Sequence, residues 1–103
     1  MKKVILSSDG EAAIYLVPEE VADNLEKYCS DFAANWVRNG PDKSKFLEDT
    51  EDGEQVAIFN ESDFIDYLNR WAFPNERSEL VRNLGCYFYE IPEEYADYPE
   101  FNF

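Results

Sequence analysis

Two apolar runs separated by Asp9-Gly10 constrain this chain more than any other feature. Val4 to Ser8 and Glu11 to Val17 read as strands, and Asp-Gly between them is a tight hairpin signal. In the second run Ile14 and Leu16 share one face, while Ala13, Tyr15 and Val17 share the other. Neither face is very polar, so this strand is expected to be covered on both sides. Pro18 follows at once and starts a helix where its missing N–H costs nothing. Glu19 and Glu20 complement the helix dipole, and Val21, Leu25, Tyr28, Cys29, Phe32 and Trp36 form one apolar stripe. Asn39-Gly40-Pro41 ends that helix. Phe32 and Trp36 are expected to be buried where it packs on the sheet.

Asp42 to Gly53 reads as a polar connection with a helical turn near Phe46 and Leu47. Gln55 to Asn60 is a short candidate strand. A second helix is expected behind Ser62 as N-cap, with Phe64, Ile65, Leu68 and Trp71 on its apolar face and Pro74 as its stop. Residues 76–84 read as a third, short helix with Leu80, Val81 and Leu84 inward and Gly85 at its end. Cys86 to Ile91 reads as a strand, and Pro92 to Asp97 as a helical turn. Val17-Pro18-Glu19-Glu20-Val21-Ala22-Asp23 is echoed by Ile91-Pro92-Glu93-Glu94-Tyr95-Ala96-Asp97, a shared strand-to-helix grammar and not a repeat. The order β-β-α-(β)-α-α-β predicts one α+β domain over residues 1–103. Its expected architecture is a small, mostly antiparallel sheet of three to four strands flanked by helices.

The 103 residues hold 23 acids against 9 bases and no histidine, a formal charge of -14. The charge opposes binding to nucleic acid or to an anionic membrane and points to solubility, to a basic partner or to nucleic-acid mimicry. Missing histidine removes Ser-His and Cys-His nucleophiles and the HExxH zinc site. Cys29 and Cys86 are far apart with no CxxC. Val4-Ile5-Leu6 is too short for a signal-peptide core, and no run approaches a membrane span of about 20 residues. A cytoplasmic monomer with reduced thiols is the expectation, with no cofactor, no metal, no catalytic residues and no membrane contact.

Two acidic segments stand out as candidate partner-binding surfaces; the first also reads as a solvated acidic loop. Glu48, Asp49, Glu51, Asp52 and Glu54 fall within seven residues and do not match the register of a calcium-binding EF-hand loop. From Tyr87 to Phe103 there are seven aromatics and five acids with no base. Phe88, Tyr95, Phe101 and Phe103 there suit packing on the sheet. Tyr89, Glu93, Glu94, Tyr95, Asp97, Tyr98 and Glu100 suit an acidic-aromatic interface. Adjacent glutamates such as Glu19/Glu20 and Glu93/Glu94 diverge from a helix start and do not form an acid/base pair.

As a whole chain, with Leu6-Ser7-Ser8-Asp9, Val17-Pro18-Glu19-Glu20-Val21-Ala22-Asp23, Asp63-Phe64-Ile65-Asp66-Tyr67-Leu68 and Tyr98-Pro99-Glu100-Phe101-Asn102-Phe103, the sequence resembles small anti-CRISPR proteins of phage or mobile-element origin. The resemblance implies a non-enzymatic inhibitor of type II-A systems in the bacterial host. Its partner would be an RNA-guided DNA nuclease or the guide complex, met through a basic surface. These proteins share no common fold or motif, so no residue role carries across. An immunity or antitoxin protein plugging a basic toxin would use the same charge and tyrosines. A regulator that never touches the nuclease is the third reading.

Overall fold

The computed structural model describes residues 1–8, 10–41, 43–86 and 93–103, with the side chain of residue 86 excepted. Strands β1 (Lys2–Ser8) and β2 (Glu11–Val17) form the expected hairpin, in register from Lys2 opposite Val17 to Ser8 opposite Glu11. Gly10 has φ +81°, the left-handed value that a two-residue hairpin loop requires.

The helical region after Pro18 is not one helix. Helix α1 (Glu19–Asp23) closes at Asn24, whose φ of -132° leaves the helical region and whose side-chain amide donates to the Glu20 carbonyl at 3.0 Å. Helix α2 (Leu25–Asp31) then runs into a π-helical turn, Phe32–Trp36, and a last turn, α3 (Val37–Asn39). Asparagine competes with the helix ladder through its own side chain, which accounts for the break. Gly40 ends the region in extended backbone, φ -75° and ψ 172°. Its lack of a side chain matters for space, since a Cβ there would lie 2.6 Å from the Trp36 carbonyl oxygen.

Helix α4 (Lys43–Phe46) supplies the turn expected near Phe46. It leads into a small antiparallel ladder of β3 (Leu47–Asp49) and β4 (Gln55–Ala57). Helix α5 (Glu61–Tyr67) begins earlier than Ser62 as a cap would place it. Asn60 is the cap: its side chain accepts from the Asp63 N–H at 3.2 Å, and the Asp63 carboxylate accepts from the Asn60 N–H at 3.0 Å. A second π-helical turn, Leu68–Ala72, precedes Pro74.

The expected third helix is a strand. β5 (Glu79–Cys86) pairs antiparallel with β2 along almost its whole length, with Val81 and Leu84 as extra residues at two register shifts. Leu80, Val81 and Leu84 match helical spacing, but the free edge of β2 offers a row of unpaired N–H and C=O groups. Satisfying that edge outweighs a weak local preference. Leu80 and Val81 consequently stay exposed instead of facing inward. The strand expected over Cys86 to Ile91 reaches only Cys86 among the described residues; Tyr87 to Ile91 lie outside them. A 3-10 turn (Glu93–Tyr95) occupies the expected helical turn, and β6 (Glu100–Asn102) pairs in parallel with β1. The Ser7 carbonyl accepts the Phe103 N–H at 2.7 Å, which ties the last residue to the edge.

The result is an α+β fold whose mostly antiparallel sheet has the order β5-β2-β1-β6. The helices cover one face, burying Val4, Leu6, Ala13, Tyr15 and Val17. Phe32 is the hub of that layer: its ring meets Phe46, Phe59, Phe64, Tyr67 and Phe103 at centroid distances of 5.3–6.3 Å. Ile5, Ala12 and Ile14 on the other face lie under Leu84, Tyr95 and Tyr98. Cover on both faces is what the two apolar sides of β2 demanded. Trp36, expected in the core, is only half-buried, because it lies at the rim of the helical layer against other aromatics.

Candidate partner-binding surfaces

The first acidic segment is a hairpin and not a plain loop. Glu48 and Asp49 lie on β3, opposite Val56 and Gln55. Carboxylates thus face uncharged partners across the ladder, which avoids direct like-charge opposition. The turn is closed locally: Thr50 donates its N–H to the Glu54 carbonyl at 2.7 Å, and the Glu54 N–H donates to the Thr50 hydroxyl at 3.2 Å. Gly53 at φ +80° lets the chain reverse. Glu51 and Asp52 are left at the tip. All five acids are exposed, and among the described residues none takes part in an ion pair. The hairpin is fastened at its base, where the Phe46 carbonyl accepts the Ile58 N–H at 2.8 Å and Phe59 packs on Phe32.

Three bases pair with acids outside the hairpin. Lys45 lies 3.6 Å from Asp63, Arg70 3.3 Å from Asp66, and Lys2 2.7 Å from Asp23. Such exposed pairs add little stability.

The second segment has a structural task. Tyr95 and Tyr98 are half-buried, with rings 5.6 Å apart, over Ile5, Ala12 and Ile14. Arg82 reaches in from β5 and donates to the Tyr95 hydroxyl at 2.7 Å. Removal from water and the Glu94 carboxylate raise the pKa of the Tyr95 phenol, and Arg82 partly offsets this. Glu93, Glu94, Asp97 and Glu100 are exposed around the two rings. Tyr89 lies outside the described residues. The two acidic sets are not brought together: the hairpin is rooted in the helical layer, and Tyr95 and Tyr98 lie on the opposite face of the sheet.

A third feature is not evident from the sequence. Trp36 and Trp71 meet with centroids 5.3 Å apart, and Trp36 lies 4.8 Å from Tyr67. Tyr28 and Phe73 continue the aromatic surface, 5.9 Å apart. Burial raises the pKa of the Tyr28 and Tyr67 phenols, helped by Glu20 at the first and Asp31 at the second. The available signal is the position of both tryptophans at the far ends of the two helical stripes.

Cys29 is a free, fully buried thiol, its pKa pushed up to about 12 by burial and its sulfur so held unreactive. Among the described residues, no three of the Cys, Asp and Glu side chains are grouped to hold a metal ion. No helix among them is long and apolar enough to cross a membrane. No protein-family model, curated protein or solved structure matches the chain.

Proposed function

We propose that this protein is a non-enzymatic acidic inhibitor of type II-A CRISPR-Cas defence. It acts as a monomer in the bacterial cytoplasm by occupying a nucleic-acid-binding surface of the RNA-guided nuclease or its guide complex. The observation that carries this reading is the β3–β4 hairpin, with five exposed carboxylates and no compensating base among the described residues. Glu48 and Asp49 leave β3 on opposite sides, since successive strand side chains alternate, and Glu51 and Asp52 stand at the tip, so the carboxylates surround the end of the hairpin. A positively charged channel built for nucleic acid would meet this cluster of negative charge with fast steered association.

The test is charge reversal. Changing Glu48, Asp49, Glu51 and Asp52 to lysine should abolish protection against DNA cleavage in cells. Reversing Glu76 and Glu79, which lie beside Arg77 and Arg82 in the sequence, should have less effect. Pull-downs with nuclease alone, guide alone and their complex identify the target. A folded hairpin variant that protects as well as the parent would overturn charge mimicry. Capture of neither nuclease nor complex would overturn direct inhibition.

A further inference from the structure

We propose that the Trp36–Trp71 pair is a docking point for an arginine side chain of the partner; this rests on the reading that the partner surface is basic. The two tryptophans of the chain occupy the two π-helical turns found among the described residues, Phe32–Trp36 and Leu68–Ala72. Each turn begins on a fully buried residue, Phe32 or Leu68, and delivers a tryptophan to the rim of the helical layer. One extra residue in a turn rotates the remainder of the helix by about 100° around its axis. Such turns interrupt the regular ladder and recur at functional sites. Here the two of them set the indoles against each other at 5.3 Å. The core does not need this contact, since Phe32 already joins its aromatic layer, and Trp71 remains 43% exposed.

Charge selects the occupant. Trp71 already lies 5.9 Å from the Arg70 guanidinium carbon, and the Asp66 carboxylate holds that guanidinium at 3.3 Å. Within the chain, one guanidinium thus lies beside both an indole and a carboxylate. Asp31 and Glu20 place further negative charge beside Tyr67 and Tyr28. Aromatic faces edged by carboxylates attract a cation twice, through the ring quadrupole and through Coulomb attraction. Arginine suits this better than lysine because its guanidinium is planar, stacks on rings and is weakly hydrated.

The probe is a short arginine-glycine peptide, compared at one ionic strength with its lysine and citrulline counterparts. Binding is followed by tryptophan fluorescence and by the two indole N–H resonances of the parent protein. Both indole signals should move with the arginine peptide and stay still with citrulline. Trp71→Ala should lower the preference for arginine over lysine by about three- to tenfold, the scale of a partly exposed cation–π contact. Charge reversal of the hairpin should weaken both basic peptides together and leave their ratio intact. If Trp71→Ala does not fold, the indole titration of the parent decides alone. Unmoved indoles, or equal binding of the citrulline peptide, would overturn the proposal. An arginine preference in a protein that captures no nuclease would instead remove the proposed target and keep the docking point.

Discussion

The β3–β4 hairpin and the segment from Glu93 to Glu100 look alike as strings of acids, yet they differ in what their neighbours do. In the hairpin the acids surround a threonine and a glycine that only make the turn. In the second segment the acids surround Tyr95 and Tyr98, which close the second face of the sheet. Carboxylates beside buried aromatics are carried along by a packing task. Carboxylates on a hairpin without apolar tips have no packing task. Interleaved aromatic residues thus separate structural acid runs from available ones better than charge density does.

The largest expected effect tests the layer in which the hairpin is rooted. Phe32 contacts Phe59 at the hairpin base and Phe103, which follows β6. Phe32→Ala should cost about 3–5 kcal/mol by chemical denaturation and loosen the hairpin base and β6 together in hydrogen exchange, with Tyr95 and Tyr98 on the other face less affected. Loss of protection at the hairpin base or at β6 alone would show that the aromatic hub does not couple them.

Alkaline pH comes next. The Cys29 pKa is raised from 9.0 to about 12, and those of the Tyr15, Tyr28 and Tyr67 phenols are raised above 10.0, chiefly by burial. A raised folded value stabilises fully below the unfolded pKa and is lost as pH rises through the folded one. Stability should therefore hold to about pH 9 and fall towards pH 12. Alkylation of Cys29 should track global unfolding and not the titration of an ordinary thiol. Rapid alkylation at about pH 8, below the ordinary thiol pKa, in a folded protein would contradict its burial.

A smaller effect separates the two acidic regions directly. Tyr98→Ala should cost about 1–2 kcal/mol, less than a fully buried aromatic because the ring is half-buried. Reversal of the hairpin acids should leave the melting temperature unchanged or slightly raised, since it relieves repulsion. Equal destabilisation by both changes would erase the distinction between them.

The smallest effect is that of salt. With a formal charge of -14, moderate sodium chloride should raise the melting temperature by screening self-repulsion. The rise should be smaller in the hairpin-reversed variant. A flat response in both proteins would mean that the hairpin charge is compensated locally.

Of the candidate site, the acids are legible because charge and exposure go together in sequence. Half of the tyrosine reading is legible too: an aromatic tail beside a sheet tends to pack on it. The tryptophan pair is not legible, because regular 3.6-residue periodicity places Trp36 and Trp71 on core stripes. Only the two π-helical turns carry them to the rim, and no local residue signal announces such a turn.

What the sequence determined by itself was local: the Asp9-Gly10 hairpin, the helix start after Pro18, the stop before Pro41, and the need to cover both faces of β2. Each depends on residues a few positions apart, through turn geometry, φ restriction or side-chain alternation. Tertiary structure decided the strand at Glu79–Cys86, the parallel pairing of Glu100–Asn102 with β1, and the meeting of Trp36 with Trp71. Those choices join segments far apart in the chain. There the hydrogen-bonding demand of an open sheet edge, or the extra residue in a helical turn, outweighs a local preference worth only tenths of a kcal/mol, roughly, per residue.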